Sequence, residues 1–222
     1  MLDPSSRIAV LIRGVSYQRG HFARGSTPRH FFVNYDVSKD NIKYSIIDPL
    51  NNCDVFLSSY ESEKQQDIID FYKPKRYSFT PYSTGTQKTC LLRGFDMILE
   101  EHKINPYKAV VVIRFDVHFH KLITEYHINP DKFNFCWREI EKMWFEHRRT
   151  GDCFYAFNAE YTQTFIDTIS NPTYFDNDLH KIYDPIAEKI GKHNIHFVEA
   201  DFFDSNTDRM PNPIYHINRL IG

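Results

Sequence analysis

Arg114, Asp116 and His118 close the apolar run Lys108-Ala109-Val110-Val111-Val112-Ile113. A carboxylate at the end of such a run has lost easy solvation and needs a cation or hydrogen-bond donors to stay charged. Side chains alternate in extended chain, so the spacing predicts Asp116 and His118 on one face, with His120 continuing the alternation. An oxygen and an imidazole nitrogen aimed at one point make half a site for Mn2+ or Mg2+. The same residues also allow a structural arrangement, with Asp116 paired to an arginine and the histidines in solvent. Arg114 and Arg13 carry planar forks suited to phosphate or carboxylate. Each could equally brace a salt bridge to Asp116 or Asp54.

Other chemistries have no motif behind them. Arg13-Gly14 opens neither a GxGxxG nor a Walker pattern, so dinucleotide and P-loop chemistry is disfavoured. Neither GxSxG nor HExxH occurs. The cysteines at 53, 90, 136 and 153 lack CxxC spacing and read as reduced thiols in a reducing, cytoplasmic setting. No apolar stretch reaches membrane-spanning length.

Composition bounds the class. The chain has 222 residues, 41% hydrophobic and 25% charged, enough for one α/β domain with a sizeable core. A net charge of −2 gives no global pull toward nucleic acid. The arginines at 13, 19, 24 and 29 form a local basic cluster that reads first as a solvated face.

The elements that must position these residues alternate along the first half. Strands are expected at residues 7–14, 54–59, 76–79 and 108–116, with helices at 61–72 and 87–102. Residues 16–29 read as irregular, and 34–50 as mixed helical. Further on come a strand at 153–157, helices at 159–169 and 174–191, and a strand at 196–199. Trp137 and Trp144 fall on an expected helix. This order implies βαβ units and a mainly parallel sheet flanked by helices. Ligands of such sheets bind at the carboxyl ends of the strands. That rule points to Arg13-Gly14, Ser58-Ser59-Tyr60, Arg114 to His118, and the Asn158-Ala159-Glu160 turn.

The run Ile8 to Gly14, then Asp54 to Tyr60, Gln87-Lys88 opening a helix, Val111 to Asp116 and Asp152 to Phe157 together resemble small GT-A-type glycosyltransferases. These include enzymes encoded by large algal viruses and by bacterial polysaccharide loci, and the similarity spans residues 7 to about 170. The resemblance implies a nucleotide-diphosphate-sugar donor with a divalent ion on its phosphates, and a glycan or glycoprotein acceptor. Residues 1 to about 120 would be the nucleotide-binding half of a single domain, and 121–222 the acceptor side; a viral protein would work in the host cytoplasm. It implies Asp116 as the metal-associated carboxylate. It assigns nucleotide or diphosphate contacts to Arg13, Gly14, Ser58, Ser59, Tyr60, Gln87, Lys88 and Arg114. The family's paired carboxylates are here Asp116-Val117-His118, so either His118 or water would fill the second position, or one carboxylate would hold the metal with help from elsewhere, a late histidine, His216, being a candidate. For the base that activates the acceptor, a parallel strand at 153–157 favours Glu160 and an antiparallel one Asp152; the resemblance leans to Asp152. A nucleotidyltransferase, or a binding module without catalysis, are the competing readings.

Overall fold

A computed structural model describes residues 1–24, 27–173, 178–204, 213–218 and 220–221, with the backbone alone at 18–31 and 220–221. In chain order the strands and helices begin with β1 (Ile8–Gly14), β2 (Tyr17–Arg24), β3 (Thr27–Asn34) and α1 (Lys39–Ile42). Next come β4 (Cys53–Tyr60), α2 (Gln65–Tyr72), β5 (Arg76–Thr80), α3 (Gln87–Ile104), β6 (Ala109–Arg114) and β7 (Val117–Phe119). The second half has β8 (Phe133–Phe135), β9 (Arg138–Glu139), α4 (Glu141–His147), β10 (Phe154–Asn158), α5 (Thr162–Ser170) and α6 (Tyr183–Ile190). It ends with β11 (Ile195–Phe197), β12 (Phe202–Phe203), β13 (Tyr215–Ile217) and β14 (Leu220–Ile221).

The protein is α/β, built on a seven-stranded sheet in the order β11-β8-β10-β6-β1-β4-β5. The pairs β1 with β4, β4 with β5, β1 with β6 and β8 with β11 are parallel. β10 runs antiparallel to both its neighbours, β6 and β8. Six strands therefore share one direction and β10 alone is reversed.

The central strands read as unbroken apolar runs because helices cover both faces. Every residue of β1 is buried. Ile8, Val10 and Ile12 pack on one face with Ile42 and Ile46 from α1 and the turn after it, and with Ile68 and Tyr72 of α2. Ala9 and Leu11 pack on the other face with Leu91, Phe95 and Ile98 of α3 and Phe165 and Ile169 of α5. Gly94 lets α3 sit close: a Cβ there would stand 2.6 Å from both Leu11 methyl carbons.

Local chemistry sets the helix ends. Thr86 caps α3, its hydroxyl accepting from the Thr89 N–H, and His102 and Lys103 complement the dipole in the last turn. α2 stops in a left-handed Lys73 (φ 46°) directly before Pro74, which disfavours further helix.

Several expectations shift. Within 16–29, expected to be irregular, residues 17–24 and 27–29 belong to the antiparallel strands β2 and β3. Trp137 lies outside any helix, between β8 and β9, and only Trp144 is helical. Of the long helix expected over 174–191, the described part is a short turn at Leu179–Lys181 and then α6; residues 174–177 lie outside the described residues. The side chains of Arg19, Arg24 and Arg29 likewise lie outside them, so the basic cluster is not described as such.

Candidate functional site

The parallel strands deliver Gly14, Tyr60, Thr80 and Arg114 to one edge of the sheet. β10 starts from that edge, since Phe154 pairs with Ile113 and Asn158 with Ala109. Its reversal brings Asp152 to the carboxyl edge and carries Glu160 to the opposite one, where the Ala159 N–H donates to the Lys108 carbonyl. The four-part convergence expected from a parallel strand at 153–157 is therefore corrected: Asn158-Ala159-Glu160 belongs to the far edge.

Charged groups interlock at the carboxyl edge. Arg114 donates from Nε to Asp116 Oδ1 at 2.8 Å and from Nη2 to Oδ2 at 2.5 Å, a two-pronged pair. Its Nη1 reaches Asp152 Oδ1 at 3.4 Å. Arg13, 1% exposed, donates to Gln87 Oε1 at 3.0 Å and to the Asp152 carbonyl at 2.5 Å. It ties β1 to α3 and to the start of β10 and turns its guanidinium inward. Asp54 is engaged elsewhere, by Arg7, Lys75 and Tyr107.

Asp152 leads to residues that no motif flagged. His180 Nδ1 stands 2.7 Å from the Thr150 carbonyl and 3.2 Å from Glu139 Oε1, while Nε2 lies 3.7 Å from Asp152 Oδ1. Burial alone would lower the imidazole pKa, but the Asp152 charge and the Glu139 hydrogen bond raise it to about 9. Burial alone would raise the Asp152 carboxyl, yet His180, Arg114 and Arg13 together hold it well below the usual carboxylate range. Arg149 extends the chain of charges from Glu139 to Asp178. The sequence offers no signal for His180, which sits in an unremarkable Leu-His-Lys.

The small polar side of the edge is quieter. Gly14 has φ +94°, and a Cβ built on it would meet nothing within 4 Å. Ser59 donates from Oγ to the Gly14 carbonyl and lies 2.8 Å from Ser16 Oγ. Ser58 Oγ is buried with no hydrogen-bond partner among the described residues. Gln87 and Lys88 form the first turn of α3 at this edge.

The expected metal half-site takes a different shape. β6 ends at Arg114, and Phe115-Asp116 form a turn before β7. Asp116 and His118 thus do not belong to one extended run, and the same-face argument fails there. His118 instead pairs across β7–β13 with His216, the rings 4.7 Å apart and 26° from parallel. His120 Nε2 lies 3.1 Å from His216 Nδ1. Burial and then the two neighbouring imidazoles lower the His118 pKa. Stacked rings cannot both aim lone pairs in their planes at one ion, and both Asp116 oxygens are held by Arg114. Among the described residues no group of three or more His, Cys, Asp or Glu side chains could hold a metal ion. The three imidazoles line a cleft of about 460 Å³ with Tyr44, Lys121 and Glu125.

No protein-family model matches the chain, and no curated protein matches it significantly. No helix among the described residues is long and apolar enough to cross a membrane.

Proposed function

We propose that this chain is a GT-A-type glycosyltransferase, transferring a sugar from a nucleotide-diphosphate-sugar donor to a glycan or glycoprotein acceptor. One observation carries the reading. A mainly parallel sheet with a single reversed strand in its second half gathers Gly14, Tyr60, the first turn of α3 and the Arg114–Asp116 turn at one edge. Gly14 leaves room for a ligand to approach the backbone. The N-terminus of α3, with Gln87 and Lys88, supplies donors and a positive dipole end for a diphosphate leaving group.

The buried ions act as the frame of that site. Arg13 and Arg114 turn their forks to Gln87, Asp116 and Asp152, and so fix the strand ends against α3 and β10. Asp152 is held too acidic to serve well as a proton acceptor near neutral pH, and its part is to anchor Arg114. Were a divalent ion bound with the donor, Asp116 is the carboxylate that would hold it, and Arg114 engages both of its oxygens in this structure.

The absence of an acidic group poised as base among these paired carboxylates favours one second reading, a nucleotide- or glycan-binding module. A thermal-shift screen of UDP-, GDP-, ADP- and dTDP-sugars, each with and without Mn2+, tests both. Ligand at a hundred times its Kd stabilises the folded state by about 2.7 kcal/mol. A rise with one nucleotide, followed by release of its free diphosphate in the presence of acceptor glycans, supports the transferase. A rise without turnover supports the module. No rise with any donor, metal included, sinks both nucleotide readings.

A further inference from the structure

We propose that β5, the outermost strand of the sheet, pairs antiparallel with β5 of a second copy of this chain. β5 ends the strand order and, among the described residues, pairs only with β4, so its other side is an open edge. The Lys75 N–H donates to the Val55 carbonyl. Backbone groups alternate in direction along a strand, so Tyr77 and Phe79 also turn theirs to β4, while those of Ser78 point outward. Open edges invite other strands, and proteins usually blunt them with a lysine, a proline or a bulge. The stretch Arg76–Thr80 contains no proline, and the charges nearest the edge are spent inward. Lys75 engages Asp54 and Glu101, and Arg76 engages Glu100 and Glu101.

The order of side chains selects a second copy over an unrelated peptide. Arg76-Tyr77-Ser78-Phe79-Thr80 reads polar, aromatic, serine, aromatic, polar from either end. A twofold axis at Ser78 therefore sets Ser78 against its own copy and Tyr77 against Phe79 of the other copy, twice over. Ser78 then exchanges both backbone hydrogen bonds with its mate, which the outward direction of its N–H and carbonyl allows. Arg76 falls opposite Thr80, so no like charges meet in the ladder. Tyr77 is 52% exposed and Phe79 half-buried, and their rings lie 6.0 Å apart. Cross-strand aromatic pairs of this kind stabilise antiparallel ribbons.

Sedimentation equilibrium at micromolar concentration tests this in the wild-type chain, Tyr77→Lys and Ser78→Pro, together with oxidative cross-linking of Ser78→Cys and Tyr77→Cys. The wild-type chain should sediment with the mass of two chains, and Tyr77→Lys and Ser78→Pro with the mass of one. Ser78→Pro removes only the outward N–H, a position where an edge strand tolerates proline. If it loses its cooperative melt, Tyr77→Lys decides, because an exposed ring is replaced without disturbing the core. Ser78→Cys should form a covalent dimer under mild oxidation, since directly opposed residues put their Cα atoms about 5.5 Å apart. Tyr77→Cys should not, because its own copy lies on a diagonal about 7–8 Å away. A wild-type chain of single mass overturns the pairing and leaves the edge to a peptide of another protein. A mass of two chains that persists in Tyr77→Lys overturns it as well, placing the contact on another face. Cross-linking of Tyr77→Cys but not of Ser78→Cys gives a different register and overturns the twofold at Ser78.

Discussion

Arg114 is the residue on which the carboxyl edge turns, because it holds both oxygens of Asp116 and also reaches Asp152. Removing one member of a buried pair leaves the other charge uncompensated, at a cost of about 3–5 kcal/mol. Asp116→Ala should therefore lower the urea midpoint substantially, besides any effect on donor binding. A wild-type midpoint in that variant would show that the pair contributes little. His180 makes a second prediction, with a defined sign. Its pKa is raised in the folded protein from 6.5 to about 9. Its stabilising contribution is therefore complete below pH 6.5 and is lost as the pH climbs through about 9. Urea midpoints measured from pH 6 to 9.5 should fall for the wild-type chain more steeply than for His180→Gln. Parallel curves would remove His180 from the account.

The elements came out of the sequence unequally. β1 and β6 were legible because a strand covered on both faces must be apolar throughout. The β2–β3 pairing was missed, since its stretch of the chain lacks a sustained apolar face, and the Gly25-Ser26 pair between the two strands, a two-residue turn signal in the sequence, was passed over. The end of β6 was missed by two residues, and that small error mattered most. Carrying the strand to Asp116 placed His118 beside it, whereas the turn at 115–116 sends the histidine to β13. Packing at this scale also predicts the effect of Gly94→Ala. Its methyl would stand 2.6 Å from Leu11, and such overpacking typically costs about 1–3 kcal/mol. Thermal unfolding should show a lowered Tm for this variant, and an unchanged Tm would mean that α3 can shift away from β1 freely.

At the scale of the whole molecule, the sequence by itself determined the class: strands alternating with helices, a sheet buried on both faces, and ligand-competent residues at strand ends. These follow from hydrophobic periodicity and turn chemistry, which a short window of residues expresses. Only the tertiary structure decided the direction of β10, and with it which carboxylate joins the edge: Asp152 arrives and Glu160 is carried to the far side. It also decided that Asp116 is held by Arg114, that Arg13 braces Gln87, and that His180 lies half-buried between Asp152 and Glu139. The physical reason is that strand direction is set by which backbone partners are left to pair, information spread over the whole chain. A buried charge, likewise, takes whatever opposite charge the closed fold brings near. Residues 13 and 87, or 152 and 180, have no local pattern that announces their meeting.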